Sequence, residues 1–413
     1  MSEKTEGKMK RERKIILFFL FFAFLIRIIS ANLLFDIEKI PPNDGYDQIA
    51  INLIQGKGFI ENDFYRSQRP PLYPYFLSLV YRCFGHGFLP VIIVQSIVGA
   101  LVCLFIYLLA TCVFDKTTGI LAAAISAIYP PLIFHSIQLA TEPFYIFFLL
   151  LFAFFFIKAL RTSETKYMVF SGIFLGFSSL TRAQGLSFFL YVIITFLIVF
   201  KFNIRRSIKP ACIILFGAFL IILPWSIRNF IIHRHIVPIV IQSGKIFYES
   251  NNPLIVDDPV NWGRNLAVED LPGYEKSAGL TEYQRDKLFL KLGFDFIRKN
   301  PNKVPKLLFN KFIRFWNIFP NISLPWRIIY FLTFGLLLPF MMAGAIKSMW
   351  SKNYCALALI FIIVWVNISA LIFWAGARMR IPASPYILIL GVYGVIQMCR
   401  RLNLPILSVI KDS

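Results

Sequence analysis

Of the 413 residues, 57% are hydrophobic, 17% aromatic and only 16% charged, which excludes an ordinary soluble domain and indicates a polytopic membrane protein. The net charge of +21 would suggest a nucleic-acid partner in a soluble protein. In a membrane protein it is the Lys and Arg excess of inner loops, so no nucleic acid is expected.

Residues 1–14 form a basic tail carrying Lys8, Lys10, Arg11, Arg13 and Lys14, followed by a hydrophobic stretch at 15–35. That stretch exceeds a signal-peptide core and lacks a small-x-small cleavage site, so a retained span is expected. Further stretches run at 88–114, 118–134, 143–160, 167–180, 186–200, 210–226, 327–346, 354–374 and 382–398. Most approach the roughly 20 residues that cross a hydrocarbon core of about 30 Å. The expected fold class is an all-α polytopic bundle of about ten spans, within roughly eight to twelve. The stretch 167–200 is the least regular, because Thr181-Arg182-Ala183-Gln184-Gly185 splits it. The cysteines (Cys83, Cys103, Cys112, Cys212, Cys355, Cys399) show no metal-ligand spacing and read as small core hydrophobes.

With the basic tail in the cytoplasm, alternation gives inner connections bearing Asp115-Lys116, Lys158/Arg161/Lys166, Lys201/Arg205/Arg206/Lys209, Lys347/Lys352 and Arg400/Arg401. This satisfies the positive-inside rule in nearly every short loop. The chain then divides into a cytoplasmic tail (1–14) and an N-terminal transmembrane catalytic module (15–228) whose first outer loop is 36–87. A large extracytoplasmic loop (229–326) precedes C-terminal transmembrane helices and a short cytoplasmic tail (327–413). Within the large loop, 281–316 reads as two helices broken at Asn300-Pro301 and rich in Lys and Arg, Lys311 among them. They either hold anionic headgroups or form a solvated cap.

The first outer loop holds Asp44 and Asp47 at the start of a short helix whose apolar residues Tyr46, Ile49, Ala50, Leu53 and Ile54 fall at i, i+3, i+4, i+7 and i+8. A helix in the interface that presents acids to the bilayer suggests chemistry on something in that bilayer. Helix capping by Asn43 or Asp44, with Asp47 in the first turn, accounts for the same residues. Glu142 opens an apolar span, where a carboxylate is either functional or a first-turn stabiliser capped by Thr141. Arg69 sits in the stiff Arg69-Pro70-Pro71-Leu72-Tyr73-Pro74. Arg182, Arg228, Arg378 and Arg380 all lie at outer boundaries; single arginines there snorkel, but several on one face suit a phosphate. Arg27, inside the first span, needs an internal partner or snorkels. His135, His233 and His235 show no metal spacing, and Asn321-Ile322-Ser323 matches a glycosylation pattern that matters only in a secretory setting.

The ordered set of Asp44-Gly45-Tyr46-Asp47-Gln48-Ile49-Ala50, Gly56-Lys57-Gly58-Phe59, Arg69-Pro70-Pro71-Leu72-Tyr73-Pro74, Thr141-Glu142, Leu180-Thr181-Arg182, Pro224-Trp225-Ser226-Ile227-Arg228-Asn229 and Arg378-Met379-Arg380-Ile381-Pro382 resembles the GT-C membrane glycosyltransferases. The similarity points to the bacterial and archaeal relatives of protein O-mannosyltransferases and lipid A aminoarabinose transferase. The resemblance implies transfer of a sugar from a polyprenyl-phosphate donor to a lipid, glycan or protein acceptor on the extracytoplasmic face of the cell membrane. It implies Asp44 as the catalytic carboxylate, Asp47 as the substitute, Glu142 as the second acid, and Arg69, Arg182, Arg228, Arg378 and Arg380 around the donor phosphate. A carboxylate that receives the acceptor proton during an inverting displacement needs no metal, and no metal-ligand cluster is apparent, so no cofactor is expected. The alternative is a transporter or flippase of lipid-linked saccharide, which should carry mid-membrane ionisable groups and paired repeats; apart from Arg27 the chain has neither. Specificity is expected in the loop 229–326.

Overall fold

The computed structural model describes residues 3–34, 45–257, 265–320 and 323–402, with side chains from residue 14 onward in the first segment. Asn43, Asp44, Asn321 and Ile322 lie outside the described residues. Among those described, every element is helical and no strand occurs.

The first half comprises α1 (Glu3–Leu34), α2 (Tyr46–Ile54), α3 (Leu72–Phe84), α4 (Phe88–Val113), α5 (Lys116–Ala127), α6 (Pro130–Ser136), α7 (Glu142–Thr162), α8 (Thr165–Thr181), α9 (Phe188–Val199) and α10 (Ile204–His233). The second half holds α11 (Ser243–Glu249), α12 (Pro253–Asp257), α13 (Glu282–Lys299), α14 (Val304–Trp316), α15 (Leu324–Tyr330), α16 (Leu337–Trp350), α17 (Tyr354–Ile372), α18 (Ala377–Arg380) and α19 (Ser384–Arg401).

Each of the ten hydrophobic stretches falls on a helix, but they are not ten equal spans. Among the described residues, seven helical segments are long and apolar enough to cross a membrane, and up to eight if the bent pair α5–α6 counts as one. The α5–α6 pair bends by 55°, because Pro130-Pro131 follows Tyr129 and a proline cannot continue the preceding hydrogen-bond ladder. α8 has 17 residues, about 25 Å at 1.5 Å per residue, so it is short of the hydrocarbon core. The break at Thr181-Arg182 that separates it from α9 is the one visible in sequence.

Apolar burial alone does not drive helices together in lipid; close packing does. α8 and α10 meet at Gly172 and Gly217, where a Cβ on Gly172 would strike the Ile214 carbonyl. α16 and α19 meet in the same way at Gly344 and Gly394. α7 runs through the middle, with Leu149, Phe152, Ala153 and Phe156 fully buried. Inside α1, Arg27 is buried, and its Nη1 donates to the Ala23 carbonyl at 2.7 Å and the Ala127 carbonyl at 3.5 Å, with Nε at 3.4 Å from Ser136 Oγ. The arginine therefore has internal partners: one carbonyl of its own helix, and the Ala127 carbonyl at the end of α5 where the bent span opens.

α11–α14 form a cap on the bundle. Thr281 and Gln284 close a capping box at the start of α13, and the chain breaks at Pro301–Lys303 before α14. Lys311 is not on a headgroup-facing surface. It is fully buried, and Nζ donates to Asn251 Oδ1 (2.9 Å) and to the Leu371 (3.1 Å) and Phe373 (2.8 Å) carbonyls at the end of α17. A cation suits a helix C-terminus, so this residue pins the cap to the bundle.

Candidate active site

The site grows from the ends of three helices, α7, α8 and α18. Glu142 is the first residue of α7 and has no exposed surface. Thr141 makes no side-chain cap, and the carboxylate turns instead to two guanidinium groups. Arg182, at the end of α8, donates from Nη1 to Oε1 at 2.8 Å; Arg378, at the start of α18, donates from Nε to Oε1 at 2.5 Å and from Nη2 to Oε2 at 3.4 Å. A buried carboxylate is costly unless paired; here two cations face it, so the cluster keeps a net positive charge. Arg182 gives Glu142 only its Nη1 group and lies 5.8 Å from the centroid of the Tyr145 ring. His135 lies in the field of all three charged groups, and its buried Nδ1 has no hydrogen-bond partner among the described residues.

A second group forms on α2 and α3. α2 starts after Gly45, whose φ of 73° is left-handed, and no side chain among the described residues caps it. Asp47 does not face the bilayer as the interfacial-helix pattern suggested. It is buried against α3, where Tyr81 donates its hydroxyl to Oδ1 at 2.6 Å and His86 Nε2 lies 3.2 Å from the same oxygen. The α2 pattern was right in its buried positions Ile49 and Ala50, but it did not foresee that the first-turn acid would also find partners inside. Arg69 pairs with Glu61 at 3.5 Å and lies 5.6 Å from the centroid of the Tyr46 ring.

Tyr73 joins the two groups. Its ring meets Tyr46 edge-on at 5.4 Å, and its hydroxyl donates to Gln95 Oε1 at 2.7 Å. Burial first, then the neighbouring Tyr81, Glu142 and Tyr46, push that hydroxyl well above its usual range.

Arg228 and Arg380 are employed elsewhere. α10 has 30 residues, about 45 Å, longer than the hydrocarbon core is thick, and Arg228 lies towards its C-terminal end. From there Arg228 donates to the Arg66 carbonyl (2.8 Å), Ser67 Oγ (2.8 Å), Asn229 Oδ1 (2.9 Å) and the Phe59 carbonyl (2.9 Å), and lies 4.6 Å from the centroid of Trp225. It clamps the loop between α2 and α3 to the end of α10. Arg380 is buried, donates to the Phe315 carbonyl and to Tyr330 Oη (2.9 Å), and sits 3.5 Å from the centroid of Phe334. The structure thus unites Glu142, Arg182 and Arg378, and leaves Arg228 and Arg380 as struts. Among the described residues no group of three or more His, Cys, Asp or Glu could hold a metal.

At the opposite end of the bundle, Arg400 pairs with Asp115 at 3.2 Å, and Arg161 donates to the Cys112 carbonyl. Glu142, Arg182 and Arg378 therefore lie at the other end of the bundle from these short basic connections.

Residues 68–227 match the family described as dolichyl-phosphate-mannose-protein mannosyltransferase. Among solved structures, the archaeal oligosaccharyltransferase AglB from Archaeoglobus fulgidus, in complex with an inhibitory peptide and a dolichol-phosphate, superimposes with a TM-score of 0.64. Identity is 15%, and the match covers 98% of this chain and 52% of that one. The chain has the GT-C fold. The apo form of the Archaeoglobus enzyme gives a TM-score of 0.62 at 15% identity, covering 95% of this chain and 51% of the other. ArnT from Cupriavidus metallidurans bound to undecaprenyl phosphate gives 0.46 at 11% identity, with 92% and 77% covered. The chain spans about half the length of the oligosaccharyltransferase it matches. No curated protein matches it in sequence. The GT-C resemblance drawn from the motifs is borne out, and the family match and the fold are both those of membrane glycosyltransferases.

Sequence reasoning missed Tyr81 and His86, the partners of Asp47, and it set His135 aside. His86 follows Tyr81 by five residues across Gly85, a spacing with no helical or strand period to mark it.

Proposed function

We propose that this protein transfers a sugar from a polyprenyl-phosphate donor to a lipid, glycan or protein acceptor at the extracytoplasmic face of the cell membrane. The observation that carries this is the buried Glu142 gripped by Arg182 and Arg378. Three separate helices meet there to build a net-cationic, water-poor point at a span boundary, where a lipid phosphate would lie. Guanidinium forks suit phosphate oxygens, and fixed cations stabilise the charge that grows on a departing phosphate. The family match and the AglB fold, seen there with a dolichol-phosphate, support the same donor class.

In this scheme the acceptor hydroxyl or amine attacks the anomeric carbon as the carbon–oxygen bond to phosphate breaks. The bonding pair leaves with the phosphate, the configuration inverts, and the acceptor proton passes to a carboxylate. Asp44 is that base, with Asp47 as the substitute. Both contacts to Asp47 fall on Oδ1, which orients the group while Oδ2 has no hydrogen bond among the described residues. Glu142 holds the two arginines in place, and Arg69, paired with Glu61 beside Tyr46, is a further cation for the donor phosphate. The N-terminus is cytoplasmic, as the basic connections at the opposite end support.

The test is loss of polyprenyl-phosphate sugar from a lipid extract on addition of the purified protein, compared with Asp44→Asn, Asp47→Asn and Glu142→Gln. Glu142→Gln and one of the Asp variants should lose transfer while remaining inserted. Full activity in all three overturns the reading.

A further inference from the structure

Arg378 reaches Glu142 from a short and irregular piece of backbone. It stands second in α18 (Ala377–Arg380), a single turn, and follows by five positions Phe373, where α17 ends. The residues from Phe373 to Gly376 belong to no helix. Side chains on such segments are placed less finely than those on long helices, whereas a binding site needs its groups held to within about 0.5 Å.

The segment is tied down on both sides of Arg378. Before it, Lys311 of α14 donates from Nζ to the Leu371 (3.1 Å) and Phe373 (2.8 Å) carbonyls. Asn251, just after α11, donates from Nδ2 to the Ile372 carbonyl between them at 3.1 Å, and its Oδ1 accepts from Lys311 at 2.9 Å. Three consecutive carbonyls at the end of α17 are thus held by two cap residues. After it, Arg380 donates from Nη1 to the Phe315 carbonyl, again of α14. Lys311 and Phe315 are four positions apart, so about one turn of α14 grips the chain on either side of Arg378.

A lysine is a costly way to close a helix end. A glycine C-cap satisfies terminal carbonyls without burying a charge, and the Lys311 ammonium is fully buried. Among the described residues no carboxylate pairs with it; its three acceptors are uncharged. Those bonds fix the direction in which the chain leaves α17, and Arg378 is the first side chain beyond that exit to reach Glu142.

We propose that Lys311 and Asn251 are positioning residues for the transfer: by fixing the exit of α17 they set where Arg378 stands against Glu142 and the donor phosphate. This rests on the phosphate-site reading above. Full-length protein in lipid nanodiscs would be measured for affinity to undecaprenyl phosphate and, without ligand, for backbone hydrogen exchange at residues 374–380. In Lys311→Met, exchange at 374–380 should rise while the end of α8 that carries Arg182 keeps its protection. Affinity should fall by roughly threefold or more, and Lys311→Met/Arg378→Met should bind no more weakly than Arg378→Met alone, because the lysine acts through the arginine. Asn251→Leu should move both readouts in the same direction, and it carries the test if Lys311→Met does not fold. Asn353→Ala removes the side-chain cap at the other end of α17; it should lower the thermal midpoint and leave both readouts unchanged, which separates positioning from stability.

Unchanged exchange at 374–380, unchanged affinity, or losses that add in full in the double variant overturn the proposal, while binding by the wild type leaves the transferase reading standing. If exchange rises at 374–380 but the wild type does not bind undecaprenyl phosphate, the placement of Arg378 by Lys311 stands and the donor assignment fails.

Discussion

Arg182 and Arg378 hold Glu142 in different ways, and substitutions there separate charge from geometry. Arg182→Lys keeps the cation but loses the planar fork, so transfer should fall by roughly tenfold or more while the melting temperature changes little; equal turnover would remove Arg182 from phosphate recognition. Lys311→Met leaves the Leu371 and Phe373 carbonyls without their donor. Orphaned acceptors should cost about 1–3 kcal/mol, read as a lower thermal midpoint. Glu249 offers a signed pH test. Burial first, offset by Lys245, raises its carboxyl to about 7 from an ordinary 4.5. A raised acid contributes stability that is complete below about 4.5 and is lost as pH rises through 7. Glu249→Gln should therefore raise the melting temperature at pH 8, by a free energy on the order of 1–3 kcal/mol, and change it little near pH 4.5. The opposite order in thermal scans at the two pH values would refute the assignment. These contacts were mostly hidden in sequence. Glu142 and the arginines were visible as boundary charges, but which arginine faces the acid depends on how three spans pack. Arg228 and Arg380 differ from Arg182 only in what the fold sets beside them.

Among the elements, the hydrophobic stretches mark the helices well because a long apolar run in lipid has few alternatives to a helix. The bend at α5–α6 was written in Pro130-Pro131, and its consequence for Arg27 was not, since the freed Ala127 carbonyl lies 100 positions away in sequence. The helix pairs rest on glycine contacts. Gly394→Leu would force a side chain into the Phe340 carbonyl of α16, so the variant should yield little monodisperse protein in size-exclusion chromatography. A normal profile would show that α16 and α19 do not depend on that approach. α13 and α14 were legible from their cap and their Asn300-Pro301 break, whereas the role of Lys311 was not, because a buried lysine and a headgroup-binding one look alike in sequence.

For the molecule as a whole, the fold is a helical membrane bundle with a polar site at one end and a cap beside it. The proposed sidedness, with the site facing outward, rests on charge, because the basic connections gather at the opposite end. In a cysteine-free background, Asp63→Cys should react with an impermeant maleimide in intact cells and Lys352→Cys only after permeabilisation; the reverse pattern would invert the orientation. The most direct test of the central claim is the affinity of the full-length protein in nanodiscs for undecaprenyl phosphate, compared with the double variant Arg182→Met/Arg378→Met. The wild type should bind, and the double variant should lose affinity by at least roughly tenfold, about 1.4 kcal/mol, while remaining folded. Equal affinity in the two proteins would contradict it.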